Sequence, residues 1–445
     1  MTLLLLVLSI LFIVAATARW GLHPFLALLA AAFGYGVLAG MPLQDVVQSV
    51  NSGFGETIGY IGIVILAGSI IGTFLEKSGG AFQLAESALR ITGNRQVPLA
   101  MTAIGYVVSL PVFCDSGYVL LAPLNRALAQ KTGTTLAAGA IGLSLGLYAT
   151  HTMVPPTPGP IAAAGIIEAD LGLVVVWGLL VSAAAALTGW LFATRIAARV
   201  WIDPGTTDTS ADPAHTPTEM PSATKSLLPI VAPITLLVAR SIAELPTHPL
   251  GDGHLRVVLS FLGQPVVALL IGAAMAFLLP KKFDRTMLSG AGWVGEAVVA
   301  AATILVVTGA GGAFGRVLQN SGISETVGTA LEGREGIGIW LPFLIAAGIK
   351  TAQGSSTVAI ITTAGIVAPL LVPLGLDSAT AKALVVVAIG AGAMVVSHAN
   401  DSYFWVVTQF SSMSLSQGYL LQSLGTLVQG AAAAITLWVI SLFVL

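Results

Sequence analysis

The chain has 445 residues, of which 56% are hydrophobic and only 9% are Asp, Glu, Lys or Arg, against about 25% charged in a soluble globular protein. A water-facing surface cannot be made from that inventory, and a net charge of -2 offers no basic field to a nucleic-acid backbone. Apolar stretches of about 20 residues, each long enough for a hydrocarbon core about 30 Å thick, recur from Leu3 to Leu445. They predict an all-α polytopic membrane protein. A transmembrane barrel alternates apolar and polar residues over strands of about ten residues, whereas segments 172–194 and 257–279 are apolar on every face. A single Cys excludes a disulfide framework or a Cys-based metal cluster.

In chain order, the run Thr2–Ala18 has no basic residue before it and Arg19 after it, which reads as a spanning helix and not as a cleaved signal. Further spans are predicted at 24–40, 58–75, 136–153, 172–194, 227–243, 257–279, 292–312, 380–397 and 424–445. Shorter or interrupted apolar stretches lie at 97–129, 155–168, 338–373 and 402–415. The stretch 203–226 is rich in Pro, Thr and Asp and has no apolar period, as expected of a flexible linker between two membrane halves. Arg195 and Arg199 before it, and Lys281, Lys282 and Arg285 after the 257–279 span, place both points on the cytoplasmic side. The same rule puts Arg19 and the loop 76–96 inside and the N-terminus outside.

The two halves repeat. GTFLEKSG at 72–79 resembles GRVLQNSG at 315–322, Ala122-Pro123 matches Ala368-Pro369, and His151 matches His398. The loop 76–96 has a basic balance and the loop 315–336 an acidic one, which is the charge reversal that inverted-topology repeats produce. The expected organisation is N-terminal spanning helices over 1–57, repeat 1 over 58–200 with a hairpin near 97–122, a linker over 201–226, connecting helices over 227–285, and repeat 2 over 286–445 with a hairpin near 338–373. Inverted repeats hold their substrate near the bilayer midplane between broken helices.

Four segments carry polar groups inside apolar sequence. In SLPVFCDSGYVLLAPL, at 109–124, Asp115 follows a Pro-interrupted run. A carboxylate at membrane depth is costly and is paired, water-exposed or functional, so Asp115 is a candidate for proton or cation coupling; the plainer reading is that Asp115 or Ser116 caps the next helix. In IKTAQGSSTVAIITTAGIVAP, at 349–369, Gly354 allows a tight turn, Ser355 and Ser356 can cap, and a helix starting near Thr357 offers N–H groups to an anion. Lys350 nearby adds positive charge, unless it snorkels to the surface. In ATHTMVPPTPGPIAAAG, at 149–165, the Pro run stops a helix just after His151 and Thr152, and broken backbone at this depth lines a cavity or is buried in protein. In SHANDSYFW, at 397–405, His398 and Asp401 could form a proton relay, cap a helix or pair on a metal, although two ligands make a poor metal site. Glu56 and Glu296 read as carboxylates at helix starts, favoured there by the dipole without any function. Signatures such as HExxH, GxSxG and the Walker-type loop are absent, so no enzyme and no cofactor is expected.

At these residues the sequence resembles the gluconate permease (gluconate:proton symporter) family of bacterial inner-membrane transporters. The likeness rests on His151 with Pro155-Pro156-Thr157-Pro158-Gly159-Pro160, on Gly354-Ser355-Ser356-Thr357-Val358-Ala359, and on His398-Ala399-Asn400-Asp401 ahead of Phe404-Trp405. The resemblance implies proton-coupled uptake of a small hydroxy-carboxylate through an ion-transporter-type fold. It further implies two inverted repeats with re-entrant hairpins, an elevator-like movement and a homodimer. The family's polar hairpin positions fall on Asp115, Ser116, Ser355, Ser356 and Thr357. The expected substrate site therefore comprises Ser116, Gly117, His151, Thr152, Lys350, Gly354, Ser355, Ser356, Thr357, His398 and Asn400, with Asp115 and Asp401 carrying the coupling proton. The sequence departs from the pattern of gluconate carriers, which place Glu at the position of Asp115 and Arg at that of Lys350. Lys lacks the bidentate fork of Arg, so a shorter acid such as glycerate, or D-serine, joins gluconate as a candidate. Sodium coupling on the same fold is the alternative to proton coupling, and an intramembrane metal-dependent enzyme the distant one.

Overall fold

The computed structural model describes residues 2–84, 87, 96–205, 220–244, 251, 253–323, 338–399 and 401–445. The helices follow the apolar pattern. They are α1 (Thr2–Ala18), α2 (Pro24–Leu38), α3 (Leu43–Lys77), α4 (Val97–Val108), α5 (Cys114–Thr132), α6 (Leu136–Met153), α7 (Pro158–Ile167) and α8 (Leu171–Arg195). The described residues continue with α9 (Ala223–Ala243), α10 (His254–Leu262), α11 (Pro265–Ala276), α12 (Trp293–Asn320), α13 (Trp340–Gln353), α14 (Ser356–Val367), α15 (Ala379–Gly392) and α16 (Ser402–Phe410). A short α17 (Leu415–Gly418) leads through a π turn, Tyr419–Ser423, into α18 (Leu424–Val444). Among the described residues, four helical stretches are long and apolar enough to cross a bilayer, and two bent pairs raise the number to six.

Three expectations change. The span expected at 58–75 begins fifteen residues earlier, because α3 runs from Leu43 to Lys77 with a 45° bend between Tyr60 and Gly62, and the boundary expected at residue 57 falls inside it. Two residues of its polar first half find partners on α12, where Asn320 donates to Ser49 Oγ at 2.8 Å and Arg316 pairs with Glu56. Glu56 is therefore an ion-pair partner and not a carboxylate at a helix start, and Glu296, though in the first turn of α12, pairs with Lys77 at 2.5 Å. The span expected at 257–279 is two helices, α10 and α11, bent by 68°. Pro265 opens α11, a position where its missing N–H costs nothing.

Order repeats along the chain. A long helix (α3 or α12) precedes a helical hairpin (α4–α5 or α13–α14), a broken helix (α6–α7 or α15–α16) and a last long helix (α8 or α18). The long helices α3 and α12 pack on each other and approach the hairpins through glycine. A Cβ on Gly72 would lie 2.4 Å from the carbonyl oxygen of Pro111 in the first hairpin turn, and one on Gly68 would lie 2.8 Å from that of Pro156 in the first break. On α12, a Cβ on Gly315 would meet the Gly365 carbonyl oxygen at 2.8 Å and one on Gly311 the Ile361 side chain at 2.8 Å. Real Cβ atoms do not approach backbone so closely, so only glycine allows these helices to sit against the hairpins.

Candidate functional site

Each hairpin turn and each break follows from local chemistry. Pro111 ends the first hairpin helix by withholding a donor, and Ser109 Oγ donates to the Val112 carbonyl at 3.2 Å to close the turn. Asp115 then falls in the first turn of α5, whose N-cap is Phe113 without a side-chain cap, so neither Asp115 nor Ser116 serves as the cap. In the second hairpin Gly354 takes a φ of 94°, a conformation open to glycine, and Ser355 Oγ accepts from the Val358 N–H at 3.3 Å as the N-cap of α14. In the first break Thr157 Oγ1 donates to the Val154 carbonyl at 2.6 Å. In the second, Asp401 Oδ1 caps α16 by accepting from the Tyr403 N–H at 3.0 Å.

These turns bring one ion pair to the centre of the molecule. Lys350, fully buried at 0% exposure, donates to Asp401 Oδ2 at 2.6 Å and to the Gly354 carbonyl. A second donor reaches the same carboxylate oxygen, Ser397 Oγ at 2.5 Å. The snorkelling reading of Lys350 is thus overturned. Its ammonium sits in the last turn of α13 and its partner carboxylate at the start of α16, each at the helix end whose dipole favours it. The second break is anchored to α18 as well: Ser397 N–H donates to Thr426 Oγ1 at 3.0 Å, and Ser423 Oγ donates to the Ser397 carbonyl at 2.6 Å.

Around the pair lie groups with no partner among the described residues: Asp115 Oδ1, Tyr148 Oη and His151 Nδ1. The Lys350 ammonium is 6.0 Å from the Tyr148 ring centroid, the Tyr148 and Tyr403 rings are 5.0 Å apart, and the Phe113 and His151 rings 6.0 Å. The charges of Asp115, Lys350 and Asp401 act on one another. Buried polar atoms are nearly always satisfied, so three orphans beside an ion pair make this the candidate site for a polar guest. The N-termini of α5, α14 and α16 meet here, and unpaired N–H groups at a helix start favour an anion.

The other expected residues are placed as follows. His398 Nε2 is 2.8 Å from the Thr351 carbonyl, and both Asp401 oxygens are taken by Lys350, Ser397 and the Tyr403 N–H, so the expected His398–Asp401 relay is replaced by a Lys350–Asp401 pair. Thr152 Oγ1 donates to the Tyr148 carbonyl of its own helix at 3.2 Å. Gly117 packs on Leu147, whose Cδ2 would lie 2.8 Å from an added Cβ. Ser116, Ser356 and Thr357 are half-buried in the first turns of α5 and α14, and Asn400 lies outside the described residues. Tyr148, Tyr403, Ser397, Ser423 and Thr426 were not in the expected site; an aromatic or hydroxyl in an apolar helix gives no signal until the fold supplies its neighbour. Among the described residues no group of three His, Cys, Asp or Glu side chains could hold a metal. A separate cavity of about 550 Å³, lined by Glu56, Thr57, Tyr60, Glu168, Arg316 and Lys382 among others, opens where α7 and α14 end against α3 and α12.

An all-helical fold with hairpins and broken helices around a buried polar centre defines a membrane transporter. Comparison with known proteins agrees: the GntP family permease pattern matches residues 1–443, and the chain belongs to that family. A gluconate permease of Pseudomonas aeruginosa is 34% identical over 420 residues, covering 92% of this chain and 91% of that protein. The D-serine transporter DsdX of Escherichia coli is 33% identical over 430 residues, covering 96% and 95%. The fold is shared with the solved structure of Neisseria gonorrhoeae MtrF, with a TM-score of 0.66, 16% identity and coverage of 96% of this chain and 97% of that one. The chain is a permease and not an enzyme.

Proposed function

We propose that this permease imports a small hydroxy-carboxylate, gluconate or a related sugar acid, by proton symport across the bacterial inner membrane. The observation that carries the reading is the buried Lys350–Asp401 pair beside the unpartnered Asp115 Oδ1 and Tyr148 Oη. A centre with one ammonium, helix N-termini for a carboxylate and polar atoms for hydroxyls suits a hydroxy-acid. Ser116, Ser355, Ser356 and Thr357 line the approach on the hairpin tips, His151, His398 and Asn400 contact hydroxyls, and Asp115 and Asp401 carry the coupling proton. The 550 Å³ cavity is the antechamber on one side. The repeated element order, with Gly68 and Gly72 on α3 and Gly311 and Gly315 on α12 at equal spacing, supports the reading of inverted repeats; the dimer and its elevator-like movement are what the family resemblance implies.

A second substrate is favoured by the likeness to the D-serine transporter: the free Asp115 oxygen would meet the ammonium of an amino acid. Exchange assays in proteoliposomes preloaded with gluconate, D-glycerate or D-serine separate these substrates. In the same vesicles Asp115→Asn should abolish uphill accumulation and leave exchange intact. Undiminished proton-driven accumulation in that variant would remove Asp115 from the coupling step.

A further inference from the structure

We infer that the transported acid and Asp401 compete for one ammonium, that of Lys350, and that this competition is what couples the acid to the proton. The inference rests on the proton-symport reading above and assigns the binding-linked proton to Asp401. It starts from geometry. Lys350 is wholly enclosed, and Asp401 accepts from it at 2.6 Å and from Ser397 Oγ at 2.5 Å. An anion entering this centre must take Asp401's place on the ammonium, because no second Lys or Arg is paired there among the described residues. The groups facing the pair are Cys114 and Asp115 from α5, Tyr148 and His151 from α6, and Tyr403 from α16. None of them brings a second fixed cation.

A displaced, ionised Asp401 would be an unpaired charge in a buried site, a strongly unfavourable state. A proton on Asp401 removes that penalty. The exchange balances: the acid's carboxylate takes Lys350, Asp401 takes one proton, and the net charge of the centre is unchanged. On the far side the acid leaves, the proton leaves Asp401, and the carboxylate closes again on Lys350. Asp115, with a free oxygen beside the pair, passes the proton out, which is why its loss would spare exchange but not accumulation.

The test uses the purified full-length protein in weak buffer with a pH indicator, titrated with gluconate, D-glycerate and D-serine. One proton should be taken up per acid bound, and affinity should fall about tenfold per pH unit on the alkaline side, as one linked proton requires. D401N should bind acid without proton uptake and with an affinity that no longer follows pH, while D115N should keep the uptake. Proton uptake that persists in D401N, or acid binding by the wild type with no uptake, overturns the inference while leaving permease activity to stand. Absence of binding of all three acids overturns the functional reading itself. If D401N is not recovered folded, S397A decides, since it keeps the carboxylate and removes its short hydrogen bond: the pH profile of uptake should shift by about one unit, and an unshifted profile overturns the inference.

Discussion

At the scale of single residues, the centre is a contest between burial and charge. A Lys at 0% exposure is tolerated because its ammonium has a carboxylate and a carbonyl within hydrogen-bond reach, and the carboxylate has a hydroxyl and a backbone N–H of its own. Tyr148 breaks that completeness, since its Oη is buried without a partner. Removing an unsatisfied buried oxygen is close to neutral or stabilising for the fold. Tyr148→Phe should therefore melt within about 1 kcal/mol of the wild type while binding the acid about tenfold more weakly, the loss of one hydrogen bond to a charged group. Thermal unfolding and equilibrium binding of the same preparation check it, and unchanged affinity would take Tyr148 out of the site. The sequence revealed Asp115, Lys350 and Asp401 because charge in apolar sequence is conspicuous. It did not reveal their pairing, since Lys350 and Asp401 are 51 residues apart and the relay suggested by His398 was closer in the chain. Tyr148 was hidden for the opposite reason, in a helix whose every residue is buried and where an aromatic reads as core.

At the scale of elements, the breaks were legible and some helix limits were not. Pro runs, glycines and serines announce where a helix stops, and α6 and α7 begin and end close to where they were expected. Hydropathy failed at α3, whose first half carries Gln44, Asp45, Gln48, Ser49, Asn51, Ser52 and Glu56; Ser49 and Glu56 find partners on α12, and pairing across helices leaves no trace in a local average. The 257–279 run failed in the reverse way, since its composition hid a 68° bend. The close contact at Gly72 yields a prediction. Gly72→Val places side-chain carbon where the Pro111 carbonyl oxygen stands, 2.4 Å from the Cβ position, and overpacking of that kind costs about 1–3 kcal/mol. The variant should insert in the membrane, melt earlier and lose transport. Full transport in a Gly72→Val variant would show that α3 is free to stand off from the hairpin.

At the scale of the whole molecule, two halves of like element order share one polar centre. Two ion pairs join α3 and α12, Lys77 with Glu296 and Glu56 with Arg316. The sequence suggests this organisation through three landmarks in matching order, and Gly68 and Gly311 extend the first of them at the same offset as Gly72 and Gly315. Lys131 closes the first hairpin and Asp377 follows the second. If the repeats are inverted, cysteines at these two sites, in a background lacking Cys114, react with an impermeant reagent from opposite faces, position 131 from the cytoplasmic side. Labelling of both from one face would contradict the inversion.

The most direct measurement is uptake of labelled gluconate and D-glycerate into proteoliposomes under an inward proton gradient, with and without sodium. Accumulation above equilibrium that needs no sodium and collapses with a protonophore is the expected result. Accumulation that requires sodium and ignores the pH step, or no uptake of either acid, would contradict proton-coupled import of a hydroxy-carboxylate.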